Sequence, residues 1–266
     1  MAILAHPDDE SLGFGGTLAK YAAEGVKTSL ITATRGQRGR FRGHPRDSAE
    51  HPGAEALAVI RERELRDAAA ELGISDLTIL DYMDSELDQV SHAAATAEIA
   101  PHIRRLRPDV VITFGPEGAY GHPDHIAISQ LATAAVMAAA DPNFDAARGT
   151  PAHRVSKFYY LAWDAALWAA YEAAFRALTS TVDGVVRQAT PWPSWALTTV
   201  IDTRDAWATV WRAVSCHQSQ ITAYEKLSQV TPEHQAALWG TQSFYRVLSF
   251  VNGGRQRETD LFEGLR

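Results

Sequence analysis

Two short stretches hold most of the side chains able to do chemistry. His6, Asp8 and Asp9 lie in AHPDDE, and His122 and His125 in GAYGHPDHIA, so His-Pro-Asp occurs twice with its histidines 116 positions apart. Pro7 and Pro123 bias the histidines before them away from helical geometry, so each copy begins as an extended turn with its side chains pre-aimed. Residues three apart can share one side of such a turn, which pairs His6 with Asp9 and His122 with His125. Two imidazoles and a carboxylate suit a catalytic Zn²⁺ that keeps positions open for water and substrate. Water on such an ion has a pKa of about 7, and a neighbouring carboxylate that is not a ligand can take its proton. The spacing leaves open which of Asp8 and Asp9 binds, and which of His122 and His125 is the third ligand.

The segments that must position these residues alternate between two periodicities. Residues 2–5 read as a short buried strand, 10–25 as a helix ended by Gly25, and 26–34 as a second strand. A helix through AVIRERELRDAAAELG ends at Gly73. Residues 77–82 read as a strand, AAATAEIAPHIRRL as a helix, 109–114 as a fourth strand and 126–140 as a helix. Strands alternating with helices predict an α/β fold, a Rossmann-like, doubly wound and mostly parallel sheet. In the order 3-2-1-4 the first and fourth strands are neighbours at a topological switch point, where ligands bind beyond the carboxyl ends. Both His-Pro-Asp copies then face one crevice.

Past Pro142 the pattern loosens. A strand over 155–163, an Ala/Trp helix, the stretch TPWPSW, a strand over 196–202 and helices around 204–219 and 231–243 form an α/β extension. The expected organisation is a single domain over 1–266, with a core over 1–150 carrying the metal site and an extension over 151–266 shaping the substrate pocket. The tail NGGRQRETDLFEGLR is expected to be mobile or an interface element.

With 266 residues, 46% of them hydrophobic, the chain can bury a substantial core, and a formal charge of −7 gives no general attraction to nucleic acid. The single Cys216 excludes an internal disulfide and fits a reducing cytoplasm. The longest apolar run, Leu131 to Ala140, is about half of the ~20 residues a membrane span needs. A soluble cytoplasmic protein, possible as a homo-oligomer, is expected.

AHPDDE followed by GHPDH resembles the LmbE-like zinc deacetylases, the group that includes N-acetylglucosaminyl-phosphatidylinositol de-N-acetylase and the mycothiol and bacillithiol pathway deacetylases. The likeness is clear over residues 2–130 and weaker toward the C-terminus, as in CHQSQ (216–220). It implies hydrolysis of the N-acyl group, typically acetyl, of a small amino-sugar substrate. It also implies His6, Asp9 and His125 as zinc ligands, Asp8 as general base, His122 as the residue that stabilises the oxyanion or protonates the amine, and Tyr120 as a group polarising the carbonyl. Arg61 in RERE, read as beginning a helix beside the crevice, and Asp84 in DYMDSE align with substrate-binding residues. The chain departs from the family at Gln37, where an acidic residue is common, and at Ser85, where glycine is frequent. Rival readings are a thiol-conjugate amidase of the mycothiol type and a metal-containing but non-catalytic sugar-binding protein; a spare Asp8 argues against the second.

Other features read as structural. Arg35, Arg38, Arg40, Arg42 and Arg46 form either an acid-recognising lid or a solvated loop. GFGGTL lacks the third glycine of a dinucleotide fingerprint and is explained by close helix–sheet packing. Cys216 reads as a small buried hydrophobe, His217 as a structural hydrogen-bonding group, and Trp192, Trp195, Trp207 and Trp211 as core.

Overall fold

The computed structural model describes residues 1–144, 149–174, 178–222, 231–254 and 256–266. Strands β1 (Ala2–Leu4), β2 (Ser29–Thr34) and β4 (Val110–Thr113) are buried at every position, as a sheet covered on both faces demands of its interior strands. β3 (Asp76–Tyr82) is the half-buried edge. With β5 (Lys157–Leu161), β8 (Thr199–Asp202) and β9 (Thr241–Ser249) they make a seven-stranded sheet of order β3-β2-β1-β4-β5-β9-β8. The first five run parallel, and β9 is antiparallel to both β5 and β8. A separate hairpin pairs β6 (Thr179–Val182) with β7 (Val185–Gln188).

The helices are α1 (Asp9–Leu12), α2 (Gly15–Ala23), α3 (Ala54–Glu71), α4 (His92–Leu106), α5 (Gly118–Gly121), α6 (Pro123–Ala140), α7 (Ala165–Ala174), α8 (Trp207–Cys216) and α9 (Pro232–Trp239). They pack in two groups, α4 with α6, and α2 and α3 with α8, the arrangement of a doubly wound sheet. The 18 residues of α6 start at Pro123, earlier than the apolar periodicity indicated, because His122 caps the helix and proline suits its first turn.

Several expectations change. The helix over 10–25 is two helices broken at Gly13 and Phe14. The glycines of GFGGTL serve packing, but against the extension: a Cβ on Gly16 would lie 2.8 Å from Cβ of Thr203. The helix over 231–243 stops at Trp239 and is replaced by β9 after Gly240. The tail docks on its own chain, with Glu258 and Leu261 buried. Glu258 receives Lys157 Nζ and Thr199 Oγ1 at 2.6 Å and Tyr159 OH at 2.8 Å, tying the tail to β5 and β8. Trp195 is exposed rather than core, Trp207 and Trp211 are half-buried, and Cys216 is only partly covered. No helix among the described residues is long and apolar enough to cross a membrane.

Candidate active site

The pairing of β1 with β4 sets the site: Ala2 lies opposite Ile112, so the two His-Pro-Asp turns leave adjacent strand ends into one crevice of about 510 Å³. Asp9 Oδ2 accepts the backbone N–H groups of His6 (2.8 Å) and Ala5 (3.2 Å), while Oδ1 faces His125 Nε2 at 3.3 Å. His6 turns Nδ1 toward Asp9, at 3.7 Å, and commits Nε2 to Asp124 (3.0 Å) and Asp84 (3.3 Å). Burial disfavours the charged ring of His6, but Asp124, Asp84 and Asp9 outweigh it and raise its pKa well above the usual value.

This donor set fits a divalent cation. One ligand atom from each of His6, Asp9 and His125 lies within 4.8 Å of the others, all three residues are buried, and Asp84 and Asp124 add negative charge behind His6. His6, His122 and Asp124 also come within that reach. Both oxygens of Asp124 are already used, accepting N–H from Ser85 (2.7 Å) and Leu87 (3.1 Å) besides His6. The first set is therefore the better ligand group. His125 is aimed by stacking on Phe114, with ring centroids 3.9 Å apart and planes 7° from parallel.

Asp8 stands next to this cluster with φ at 104°, left-handed backbone that L residues seldom adopt. Its neighbours hold it. Its N–H donates to Glu10 Oε2 (2.9 Å), and its carboxylate meets Arg61 at 3.2 Å. Glu10 is fully buried and in turn receives His217 Nε2 at 2.8 Å and Ser11 Oγ at 2.5 Å. His217 thus makes the structural hydrogen bond expected of it.

His122 accepts the N–H of Asp124 at Nδ1 (3.2 Å), which leaves Nε2 to carry the proton. Burial, then the neighbouring His125 and His6 rings, push its pKa down to about 3, so the ring is a neutral hydrogen-bond donor near pH 7. Its centroid lies 5.0 Å from that of His6 and 4.8 Å from that of His125, with the Tyr120 ring at 5.8 Å. The α5 turn that carries Tyr120 is itself unusual, with Ala119 at φ 62°.

Arg61 lies in the middle of α3, not at a helix start. Its guanidinium donates to the carbonyls of Gly36 (2.9 Å) and Pro7 as well as to Asp8. Any side chain on Gly36 would collide with it, a Cβ falling 2.1 Å from Arg61 Nη1. Asp84 sits on His6 and on the backbone N–H of Arg38 (3.0 Å), and Ser85, the departure noted from the usual glycine, holds φ at 66° while donating to Asp124. Arg61 and Asp84 both line the crevice. In the Arg-rich loop Arg35 pairs with Glu62 and Asp81 and Arg38 with Glu86, so carboxylates of this chain pin it down. CHQSQ closes the crevice from the other half: Ser219 binds Glu64 through N and Oγ, both at 2.6 Å, and Gln220 binds the Arg40 carbonyl at 2.7 Å. Asp124 and Glu10 were not singled out by the sequence reading, although both stand inside its two motifs.

A doubly wound sheet with a buried two-histidine, one-carboxylate cluster at its switch point defines an α/β enzyme class with a metal-capable centre. The chain belongs to the family described as PIG-L: GlcNAc-PI de-N-acetylase, whose model matches residues 1–136. It is 32% identical to the 1D-myo-inositol 2-acetamido-2-deoxy-alpha-D-glucopyranoside deacetylase of Streptomyces avermitilis, over all of this chain and 96% of that one. Among solved structures it resembles the N,N'-diacetylchitobiose deacetylase of Pyrococcus horikoshii, at 22% identity and a TM-score of 0.67, over 92% of this chain and 82% of that one. It also resembles the 4-carboxy-2-hydroxymuconate hydratase of Pseudomonas putida, at 18% identity and a TM-score of 0.68, over 95% of this chain and 97% of that one. These two likenesses show the fold alone; the reaction has to be read from the site.

Proposed function

We propose that the chain is a zinc-dependent N-deacetylase acting on a small glucosamine-type amide. The observation that carries this reading is one crevice holding the His6, Asp9 and His125 cluster together with Asp8, a carboxylate outside the ligand set. The named activities of the full-length relatives support the same reaction.

His6, Asp9 and His125 would hold the ion, which when bound supplies a polarised amide carbonyl and an acidified water. Asp8, whose carboxylate is held by Arg61, is the base that takes the water proton. His122 Nε2–H and the Tyr120 hydroxyl donate to the oxygen that becomes negative as the carbonyl carbon turns tetrahedral. Asp8 then returns its proton to the nitrogen, the C–N bond breaks, and the acyl group's hydroxyl proton passes to the amine, so that a carboxylate and an ammonium leave. Of the two roles expected for His122, its neutral state favours oxyanion stabilisation. Asp84 forms part of the wall that sugar hydroxyls would meet, and Arg61, bound to Asp8 and to the Pro7 and Gly36 carbonyls, would position the base. With one cysteine and no disulfide to maintain, the enzyme suits the cytoplasm.

The test is amine release from N-acetylglucosaminides by metal-stripped and zinc-loaded protein. Activity should require zinc, and Asp8→Asn should keep its zinc yet turn over about 10²- to 10⁴-fold more slowly. An Asp8→Asn protein working at the wild-type rate would overturn the mechanism.

A further inference from the structure

The crevice has a second chamber of different chemistry. A cavity of about 250 Å³ shares Asp8, Asp9, Tyr120, His125 and Gln220 with the polar crevice; among the described residues its wall is completed by Leu12, Gly13 and Ala119 and by six large side chains, Phe114, Leu161, Trp163, Trp168, Tyr171 and Leu178. Five of those six are buried, and Trp163 lies 4.7 Å in ring centroid from both Trp168 and Tyr171, so the wall is a packed aromatic layer. The one hydroxyl in that layer, on Tyr171, donates to the Leu12 carbonyl at 3.1 Å.

An amide held at the metal cluster has two sides, and the two chambers sort them. A polyhydroxylated amine placed among these aromatics would leave hydroxyls buried without partners, which is costly. The other chamber offers Arg38, Arg40, Asp84, Ser85 and Thr222 to such a group. The apolar chamber is therefore left for the acyl side. An acetyl methyl is about the size of one water, ~30 Å³, and would leave most of this space empty.

We propose that this chamber is an acyl subsite and that the preferred substrates carry an unbranched aliphatic acyl group longer than acetyl. The proposal rests on the amide-hydrolysis reading and deepens it on the acyl side. The reaction is unchanged: water adds to the acyl carbon, the C–N bond breaks, and the longer carboxylate leaves with the protonated amine.

The experiment is an acyl series on one amine, N-acetyl-, N-butanoyl- and N-hexanoylglucosamine, with the zinc-loaded enzyme. kcat/KM should rise about fourfold per added methylene, the equivalent of ~0.8 kcal/mol for each CH₂ removed from water. Leu178→Trp, which fills the chamber from a half-buried wall position, should bring the hexanoyl-to-acetyl ratio close to one; Leu178→Phe should do so in part and serves if the larger change disturbs folding. Acetyl preferred, with hexanoyl at a tenth of its kcat/KM or less, overturns the acyl subsite and leaves the deacetylase reading standing. No hydrolysis anywhere in the series overturns the deacetylase reading, and calorimetry then decides the subsite: hexanoate binding more tightly than acetate upholds it, and equal or absent binding overturns it.

Discussion

Asp8 has to satisfy two requirements at once, a carboxylate open to the crevice and a backbone in the left-handed region, and the second costs on the order of 1–3 kcal/mol unless neighbours hold it. Glu10 holds its N–H and Arg61 its carboxylate. Because the Arg61 guanidinium is also spent on Pro7 and Gly36, its removal should act mainly on chemistry. Arg61→Ala is expected to lower kcat about 10- to 100-fold, with a smaller change in KM and full zinc content. Arg61→Lys should recover little, since an ammonium cannot reproduce the fork. A rise in KM at unchanged kcat would instead mark Arg61 as a substrate contact. At this scale the two motifs were legible because histidine and aspartate in a proline-fixed turn carry their chemistry in their types. Asp124 and Glu10 were not, because their work is to accept hydrogen bonds from partners brought in by the fold. Ser85 N–H reaches Asp124 from another loop, and His217 reaches Glu10 from 207 positions away.

Among elements, β1, β2 and β4 could be read from sequence because each is a short run ahead of a helix and is buried at every position. The extension was harder for two physical reasons. The β6–β7 hairpin has no buried face, so period-2 alternation is absent; its one signal is Asp183-Gly184, with φ of 52° and 77°, a pair suited to a type I′ turn. β9 follows α9 with Gly240 between them, and the helical reading ran across that glycine. α8 matters to the site through its end: His217 follows Cys216, and its buried pair with Glu10 links the extension to AHPDDE. Burial alone would lower the His217 pKa, yet Glu10 and then Asp8 raise it. His217→Ala should leave buried Glu10 with only the Asp8 N–H and Ser11 among the described residues and cost about 1–3 kcal/mol, measured as a lower denaturant midpoint. A variant with wild-type stability would show that the link is dispensable.

For the molecule as a whole, Glu258 should be one source of acid sensitivity. Burial alone would raise its pKa, but hydrogen bonds from Lys157, Thr199, Asn252 and Tyr159 outweigh that and hold it at about 2, against 4.5 for an ordinary glutamate. A folded pKa below the unfolded one gives stability that is complete above pH 4.5 and is lost as pH falls toward 2. The contribution is on the order of 3 kcal/mol. Glu258→Gln should be less stable at pH 7 and should show a flatter decline across that window in thermal melts; an unchanged slope would exclude this carboxylate as the source. The place of β9 has a different consequence, for synthesis. It is the last strand in the chain but sits between β5 and β8 in the sheet. A nascent chain therefore emerges with the far edge of β5 unpaired, from the completion of Leu161 until β9 ends at Ser249. At ~5–20 residues per second that interval lasts roughly 4 to 18 s. Throughout it the edge can template pairing with another chain, so protein yield should depend on holdase capacity during translation more than on the stability of the finished enzyme.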